Sequence, residues 1–464
     1  MKLRKVLSLV LCAMLLTALA VTAGAEGLTE FTPSLDAGAE LTLTLYGAGL
    51  FADTGADGSI DLTSGIQTPG YNEVIARWNE FYPNVKLDIQ AIPWSDWQAN
   101  VTTAVMTGDV DVILHGATLA TLCEDLQPYI DSTEGLMDNI YAVASRYVAD
   151  APSEPKVTGV SYTVTPMLVY LDTKIFADYG VDLPTADWTW DDLLALAEQL
   201  TGTDPVTGEQ TYGFKFTSRN ASNNFYFNHM MLSQAYGGDI IHYADTIGEI
   251  TGDYTGEVSI KAFEMIEKLA QFISPDCKEG VTDDTVLASD NNVAIRIEQS
   301  PFVHYAEAQA AGDAERWQWM TLPCAMEGDG KGQPTWFLGE NNMAIAYNSD
   351  AKDFAWEFIH FMTTDPVVQQ WIVRTRNLPN NISGQSLLTE SVGEDRAATM
   401  YAALADLPFG WNNATNDVIN TAFLGTLSSD MYVAQDSLIK GEFTVEQAAE
   451  FVQSNLDTFL STQK

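Results

Sequence analysis

Leu41, Leu43 and Leu45 occupy every second position of the first apolar segment after the N-terminal region and end at Tyr46-Gly47, a strand running into a turn. Val74, Ile75, Trp78, Phe81 and Tyr82 then recur at helical spacing and stop before Pro83-Asn84, after which Val85, Leu87, Ile89 and Ala91 alternate as a second strand. Strand, helix and strand, each apolar on one face, form the crossover unit that lays two strands side by side in parallel. The grammar continues with a helix over Trp97–Met106, a tight Gly108-Asp109 and a buried strand at Val110–Leu114. Further on, Val164–Leu171 is extended, Trp190–Leu200 is helical, and Thr211–Phe214, Val293–Ile297 and Met343–Ala346 restart strands. Helices at Glu257–Ile273, Phe354–Thr363, Asp417–Ile439 and Val445–Phe459 complete the pattern. The fold class is α/β. At 464 residues the chain exceeds the roughly 250–300 residues at which a single core stops growing, so two or three packed domains are expected.

Charge narrows the partners. The chain has 22 Lys and Arg against 63 Asp and Glu, a formal charge of −41, which repels phosphate backbones and anionic lipid. Nucleic acid is excluded as a partner, and a neutral or cationic small ligand or a basic protein fits better. Lys2, Arg4 and Lys5 precede the uncharged run Val6–Val21, and Ala23-Gly24-Ala25 supplies the small-x-small pattern of a cleavage site. Residues 1–25 therefore read as a secretory signal, the competing reading being an uncleaved anchor, and 26–39 as a flexible lead-in. The chain is thus expected outside the membrane: extracellular, at the cell surface or periplasmic. Removing the signal leaves 19 bases against 63 acids, or −44, and three cysteines, Cys123, Cys277 and Cys324, too few for a disulfide framework. The five histidines, His115, His229, His242, His304 and His360, show no metal-ligand spacing, so neither a metal nor a cofactor is expected.

Ordered sequence words carry more than composition does. Trp78-Asn79-Glu80-Phe81-Tyr82-Pro83-Asn84-Val85-Lys86-Leu87, then Trp94 and Trp97, then Met106-Thr107-Gly108-Asp109-Val110-Asp111-Val112 follow one another here. Next come Tyr170–Phe176, Gly180-Val181-Asp182-Leu183-Pro184, Trp188–Leu193, Thr201–Gly213, Tyr236-Gly237-Gly238, Ala344–Ser349, Ala355–Ile359 and Leu378-Pro379. In this order they resemble the family 1 extracellular solute-binding proteins, the substrate-capturing components of ABC importers, over Leu41 to Phe459. The resemblance implies a two-lobed periplasmic-binding-protein fold with a hinge and an interlobe ligand cleft. It implies lobe 1 from residues 40–165 plus about 335–384, with 48–70 inserted, and lobe 2 from 166–334 plus about 385–464. It further implies a monomeric, non-enzymatic receptor for a sugar, an oligosaccharide above all, and permease transmembrane subunits as partners.

Trp78, Phe81, Trp356 and Phe358 lie on apolar helix faces and read as core, and Thr189 with Asp191-Asp192 reads as a helix cap. Other aromatics stand where strands end, the cleft edge in this fold. Trp94 and Trp97 follow the second strand and His115 the third; Tyr226 and Asn228 precede Gly237-Gly238; Trp336 and Glu340 precede Met343–Ala346; Trp411 follows Gly410. Phe302, after Ser300-Pro301, stands where sugar-binding members carry a stacking Trp. Each is a candidate ligand contact or a packing residue. A pyranose offers flat C–H faces to aromatic rings and hydroxyls to Asp, Asn, Glu and His, and 11 Trp and 18 Tyr supply the rings. The 48–70 insertion contains an Asp57-Gly58-Ser59-Ile60 core without the twelfth-position Glu of a calcium loop, and reads as a flexible loop over the cleft mouth. The alternatives are a secreted glycoside hydrolase, for which 63 acids make no particular carboxylate pair informative, a signalling sensor, and a binder of a peptide or polyamine.

Overall fold

The computed structural model describes residues 30–62, 65–95, 97–116, 119–140, 143–148, 151–216, 224–238, 240–242, 251–280, 290–298, 301–336, 338–405, 415–416 and 427–462. Two sheets carry the architecture. In the first, Leu41–Gly47 runs parallel to Val85–Ala91, with Leu41 opposite Val85 and Gly47 opposite Ala91, and on its other side parallel to Val112–Leu114. Leu338–Ile345 follows antiparallel, then Ala151–Pro166 and Val143–Val148. The second sheet has the order Trp317–Met320, Leu168–Asp172, Val293–Glu298, Gln210–Lys215, Gly202–Thr203, with Gln210–Lys215 and Val293–Glu298 parallel.

Each sheet has its own core. Leu43, Leu45 and Val85 turn inward under the helix Asn72–Phe81, which buries Val74 and Trp78. Trp78 meets Phe358 edge-on at 5.3 Å and Phe361 at 5.4 Å, both from the helix Lys352–Thr364, so the aromatic words of the sequence are packing here. In the second core the helix Trp190–Gln199 buries Trp190, Leu193 and Ala197 against Phe263, Ile266 and Leu269 of Glu257–Leu269 and Val452 and Leu456 of Val445–Thr462. Thr189 and Asp192 form a reciprocal capping box at its start. A third cluster joins Val164 and Leu378 to Leu168, Tyr170, Phe302 and Trp319, with Leu388 and Met400 from the helices Gln385–Val392 and Glu394–Ala405.

Two expectations are corrected. Residues 48–62 and 65–70 are folded: Leu50–Thr54 is a helical turn with Leu50, Phe51 and Thr54 buried, and Ser59–Ile60 pairs with Gln67–Thr68. The stretch is tied down by Tyr71 N donating to Gly55 O, the Trp371 indole donating to Gly70 O, and Arg376 donating to Thr68 and Gln67. One helical turn is too short to register as a period, which is why the sequence hid it. The lead-in is docked as well, from Phe31 onward; residues 1–29, which include the expected signal, lie outside the described residues. Phe31 packs among Phe81, His360 and Phe361, and Ser34 donates through backbone and hydroxyl to the two Glu357 oxygens, at 2.6 and 2.7 Å. The helix expected over Asp417–Ile439 is observed as Ser428–Lys440, and 417–426 lie outside the described residues.

Asp172 is fully buried where the second sheet begins. It caps the helix Thr173–Tyr179, accepts from Asn291 at 2.7 Å, and takes Arg316 Nη2 at 2.6 Å and Nε at 2.9 Å. Removing the guanidinium strands a carboxylate in the interior. Arg316→Ala is expected to cost about 3 kcal/mol of stability, read from the urea midpoint, an unchanged midpoint being the contrary result.

Candidate functional site

Because Leu41–Gly47, Val85–Ala91 and Val112–Leu114 are parallel, their carboxyl ends share one edge of the first sheet, the edge at which open α/β sheets bind ligands. Trp94, Trp97 and His115 issue from it and meet. Trp94 stands edge-on to His115 at 4.9 Å and 80°, Trp97 to His115 at 5.3 Å and 73°, and the indoles to each other at 6.1 Å and 86°. Mutually perpendicular rings put positive edges on negative faces and fix all three planes. Trp97 and His115 are half-buried, while Trp94 remains 44% exposed, so an immobilised indole faces outward.

The chain's path holds His115 in place. Its φ is +58°, rare for a residue with a side chain, and its backbone N–H donates to Asn342 O at 2.7 Å. Gly116 follows because a Cβ there would lie 2.6 Å from the Ile113 side chain. Asn342 belongs to Leu338–Ile345, whose pairing with Ala151–Pro166 slips at Asn341/Asn342: Asn341 faces Thr163 and Asn342 faces Ser161, leaving Tyr162 as the extra residue. Asn341 bonds Thr163 and accepts Leu50 N at 3.2 Å, so the bulged strand grips the inserted helical turn. Gly49, at φ +115°, permits the approach: a Cβ would sit 2.8 Å from Asn341 Oδ1. Tyr162 packs on Phe51, and burial, then the charge of Asp53, raise its hydroxyl pKa. Desolvation raises the pKa of the Asp53 carboxyl, and the Trp94 indole opposes that shift.

The other expected residues fall into separate places. Glu340 is half-buried one position before Asn341, receives the Ser161 hydroxyl, and accepts from Asn342 Nδ2 at 3.3 Å. Trp336 is half-buried before this strand, and its N–H donates to Gln234 Oε1 at 2.9 Å, tying the crossing chain to the helix Asn224–Ala235. Tyr226 and Asn228 lie on that helix, Asn228 only 2% exposed, and Phe302 is 6% exposed within the third core cluster. Trp411 lies outside the described residues. Sequence reasoning passed over Asn341, set by long-range pairing. Among the described residues, no group of His, Cys, Asp and Glu is gathered as a metal site requires, and no helix is long and apolar enough to cross a membrane.

Comparison with known proteins gives the family and the fold. The pattern of the bacterial extracellular solute-binding protein family matches residues 64–369. Among solved structures, the sugar-binding protein MalE from Xanthomonas citri aligns at TM-score 0.69 and 15% identity over 91% of this chain and 98% of its own. An ABC substrate-binding protein from Listeria monocytogenes in complex with cycloalternan aligns at TM-score 0.63 and 18% identity, over 91% and 100%. The GacH receptor of Streptomyces glaucescens, solved unliganded and with acarbose, aligns at TM-score 0.64 and 15% identity, over 92% and 100%. These likenesses give the fold, the two-lobed arrangement of periplasmic sugar-binding proteins. No curated protein matches the chain.

Beside Asn228, His229 is buried between Ser259 Oγ at 3.0 Å and Ser233 Oγ at 3.3 Å, and burial lowers its pKa to about 3. The folded state holds it neutral while the unfolded chain takes up a proton near 6.5, so its contribution to stability is complete above that value and is lost as pH falls toward 3. Between pH 7.5 and 5 the loss is about 2 kcal/mol. Urea midpoints at the two pH values should differ less in His229→Gln than in the wild type; an equal difference in both would contradict the assignment.

Proposed function

The chain belongs to the bacterial extracellular solute-binding proteins, and from that premise we propose that it captures a neutral sugar, an oligosaccharide, between its lobes and delivers it to the transmembrane subunits of an ABC permease. The observation that carries the sugar reading is the outward-facing Trp94, locked edge-on by Trp97 and His115 at the carboxyl ends of three parallel strands. Such a ring offers a flat apolar face, and Glu340, on the strand whose Asn342 carbonyl holds the His115 amide, offers an acceptor for hydroxyls. The neighbours solved with cycloalternan and acarbose support the same class of ligand.

The lobes that close are residues 40–165 with about 335–384 and residues 166–334 with about 385–464; the strands of the two large sheets are consistent with this except Thr415–Asn416, which pairs with Val143–Val148 of the first sheet. Trp336 stands on the chain between them, its N–H bonded to Gln234, and the sequence offers Trp411 as a second aromatic contact. Closure draws a sugar between surfaces of both lobes, and the closed form is the one a permease reads. The protein is an exported, monomeric binder and performs no chemistry on its ligand.

A thermal-shift and calorimetric screen of mono- and oligosaccharides is the test. A sugar should raise the melting temperature without being hydrolysed. Trp94→Ala, Trp336→Ala and Trp411→Ala should each weaken binding by about 1–3 kcal/mol. Stabilisation by a polyamine or peptide with none by any sugar would overturn the sugar assignment, and turnover of a bound oligosaccharide would make the protein a glycoside hydrolase.

A further inference from the structure

Glu340 is a carboxylate aimed by two buried donors. Asn342 Nδ2 donates to its Oε1 at 3.3 Å and the Ser161 hydroxyl to its Oε2, so both oxygens act as acceptors. Asn342 is 1% exposed and Ser161 fully buried, while Glu340 is only half-buried: the donors sit in the interior and the acceptor reaches the surface. The one-residue slip makes this possible. Glu340 stands opposite Val164 and Asn341 opposite Thr163, and a regular ladder would go on to set Ser161 opposite Met343, whose side chain packs in the first core. The bulge sets Ser161 opposite Asn342 instead, and its hydroxyl comes round to the face that carries Glu340. Ser161 is pinned in turn by Asn380, whose Nδ2 donates to its carbonyl at 2.6 Å. Asn342 also carries the aromatic site. Its carbonyl takes the His115 amide at 2.7 Å, and the His115 ring stands edge-on to Trp94 at 4.9 Å and to Trp97 at 5.3 Å. One buried residue thus holds the strand-end rings through its backbone and the carboxylate through its side chain.

We propose that Glu340 sets the charge specificity of the aromatic site, with Asn342 and Ser161 as the positioning residues that hold its carboxylate: the site accepts a sugar that turns a hydroxyl or ammonium group toward Glu340 and rejects one that turns an acid. The proposal rests on the sugar reading above and narrows it to neutral and amino sugars. A hydroxyl donates to a carboxylate and an ammonium group pairs with it, whereas a second carboxylate at a partly desolvated rim is repelled. Held by two bonds, the Glu340 side chain cannot swing aside to relieve that repulsion.

Two measurements test it separately. The first needs no sugar. In protein labelled with 13C at the glutamate carboxyl, the Glu340 resonance is identified by its loss in Glu340→Gln. Its titration midpoint should rise in Ser161→Ala and in Asn342→Ala, because each removes a donor to the charged form. A midpoint unmoved by either variant overturns the positioning role. The second is calorimetry at about 0.15 M salt, where charges more than about 8 Å away are largely screened. The probes are maltotriose and two derivatives that differ from it only at C6, one carrying a carboxylate and one an ammonium group in place of the hydroxyl. The wild type should bind the carboxylate form at least about tenfold more weakly than maltotriose, and Glu340→Gln should erase most of that ratio. Glu340→Gln should also weaken the ammonium form more than maltotriose. Glu450→Gln, which removes an exposed carboxylate from the helix Val445–Thr462 of the second core, should leave the ratio as it is. Binding of the carboxylate form as tight as that of maltotriose, or a ratio untouched by Glu340→Gln, overturns the selectivity. Binding of none of the three, with the Glu340 midpoint still responding to Ser161→Ala, would overturn the selectivity along with the sugar reading while leaving Ser161 and Asn342 as the residues that position the carboxylate.

Discussion

The site depends on the pairing of Ala151–Pro166 with Leu338–Ile345, and in particular on the one-residue slip at Asn341/Asn342. A regular ladder would turn every side chain of the shifted half to the opposite face. With the bulge, Asn342 O meets the His115 amide, Asn341 meets the Leu50 amide, and Glu340 meets Ser161. Tyr162, the unmatched residue, is still satisfied: its carbonyl accepts Asn380 N at 3.1 Å, and its ring packs on Phe51. A single irregularity thus fixes the strand-end histidine, the inserted turn and the carboxylate at the crossing, and it does so where both strands approach the second sheet.

The mechanics that follow are those of two bodies with separate cores. Trp78 and Phe358 pack one, Trp190 and Phe263 the other, and the connecting third cluster is built from residues of both sheets together with the helices Gln385–Val392 and Glu394–Ala405. Stiff lobes joined through a few strands can change their mutual angle while keeping their internal packing, the requirement for a clamp. The docked lead-in adds to the stiffness of the first body: Ser34 and Tyr82 both bond Glu357, so the chain arrives already fastened to that lobe.

The regular elements were legible in the sequence because burial imposes a period on them. Leu43, Leu45, Val85, Trp78 and Leu193 announce their strands and helices, and Thr189 with Asp192 announces a helix start. Trp94, Trp97 and His115 could be placed together because each follows a strand in the parallel part of the first sheet, a matter of topology more than of residue type. Asn341 could not. The contact of Asn341 with Thr163 spans 178 positions and that with Leu50 spans 291, and a bulge leaves no periodic mark. Phe302, which also follows a strand, differs from Trp94, Trp97 and His115 in that it is buried in the cluster of Leu168 and Tyr170.

The central claim is that a sugar draws the two lobes together. Small-angle scattering with and without a saturating sugar tests it most directly, using a ligand that shifts the melting temperature. The radius of gyration should fall on binding and recover when the sugar is removed. A radius unchanged at full saturation would contradict capture by closure and would make the aromatic site of the first lobe a surface that binds on its own.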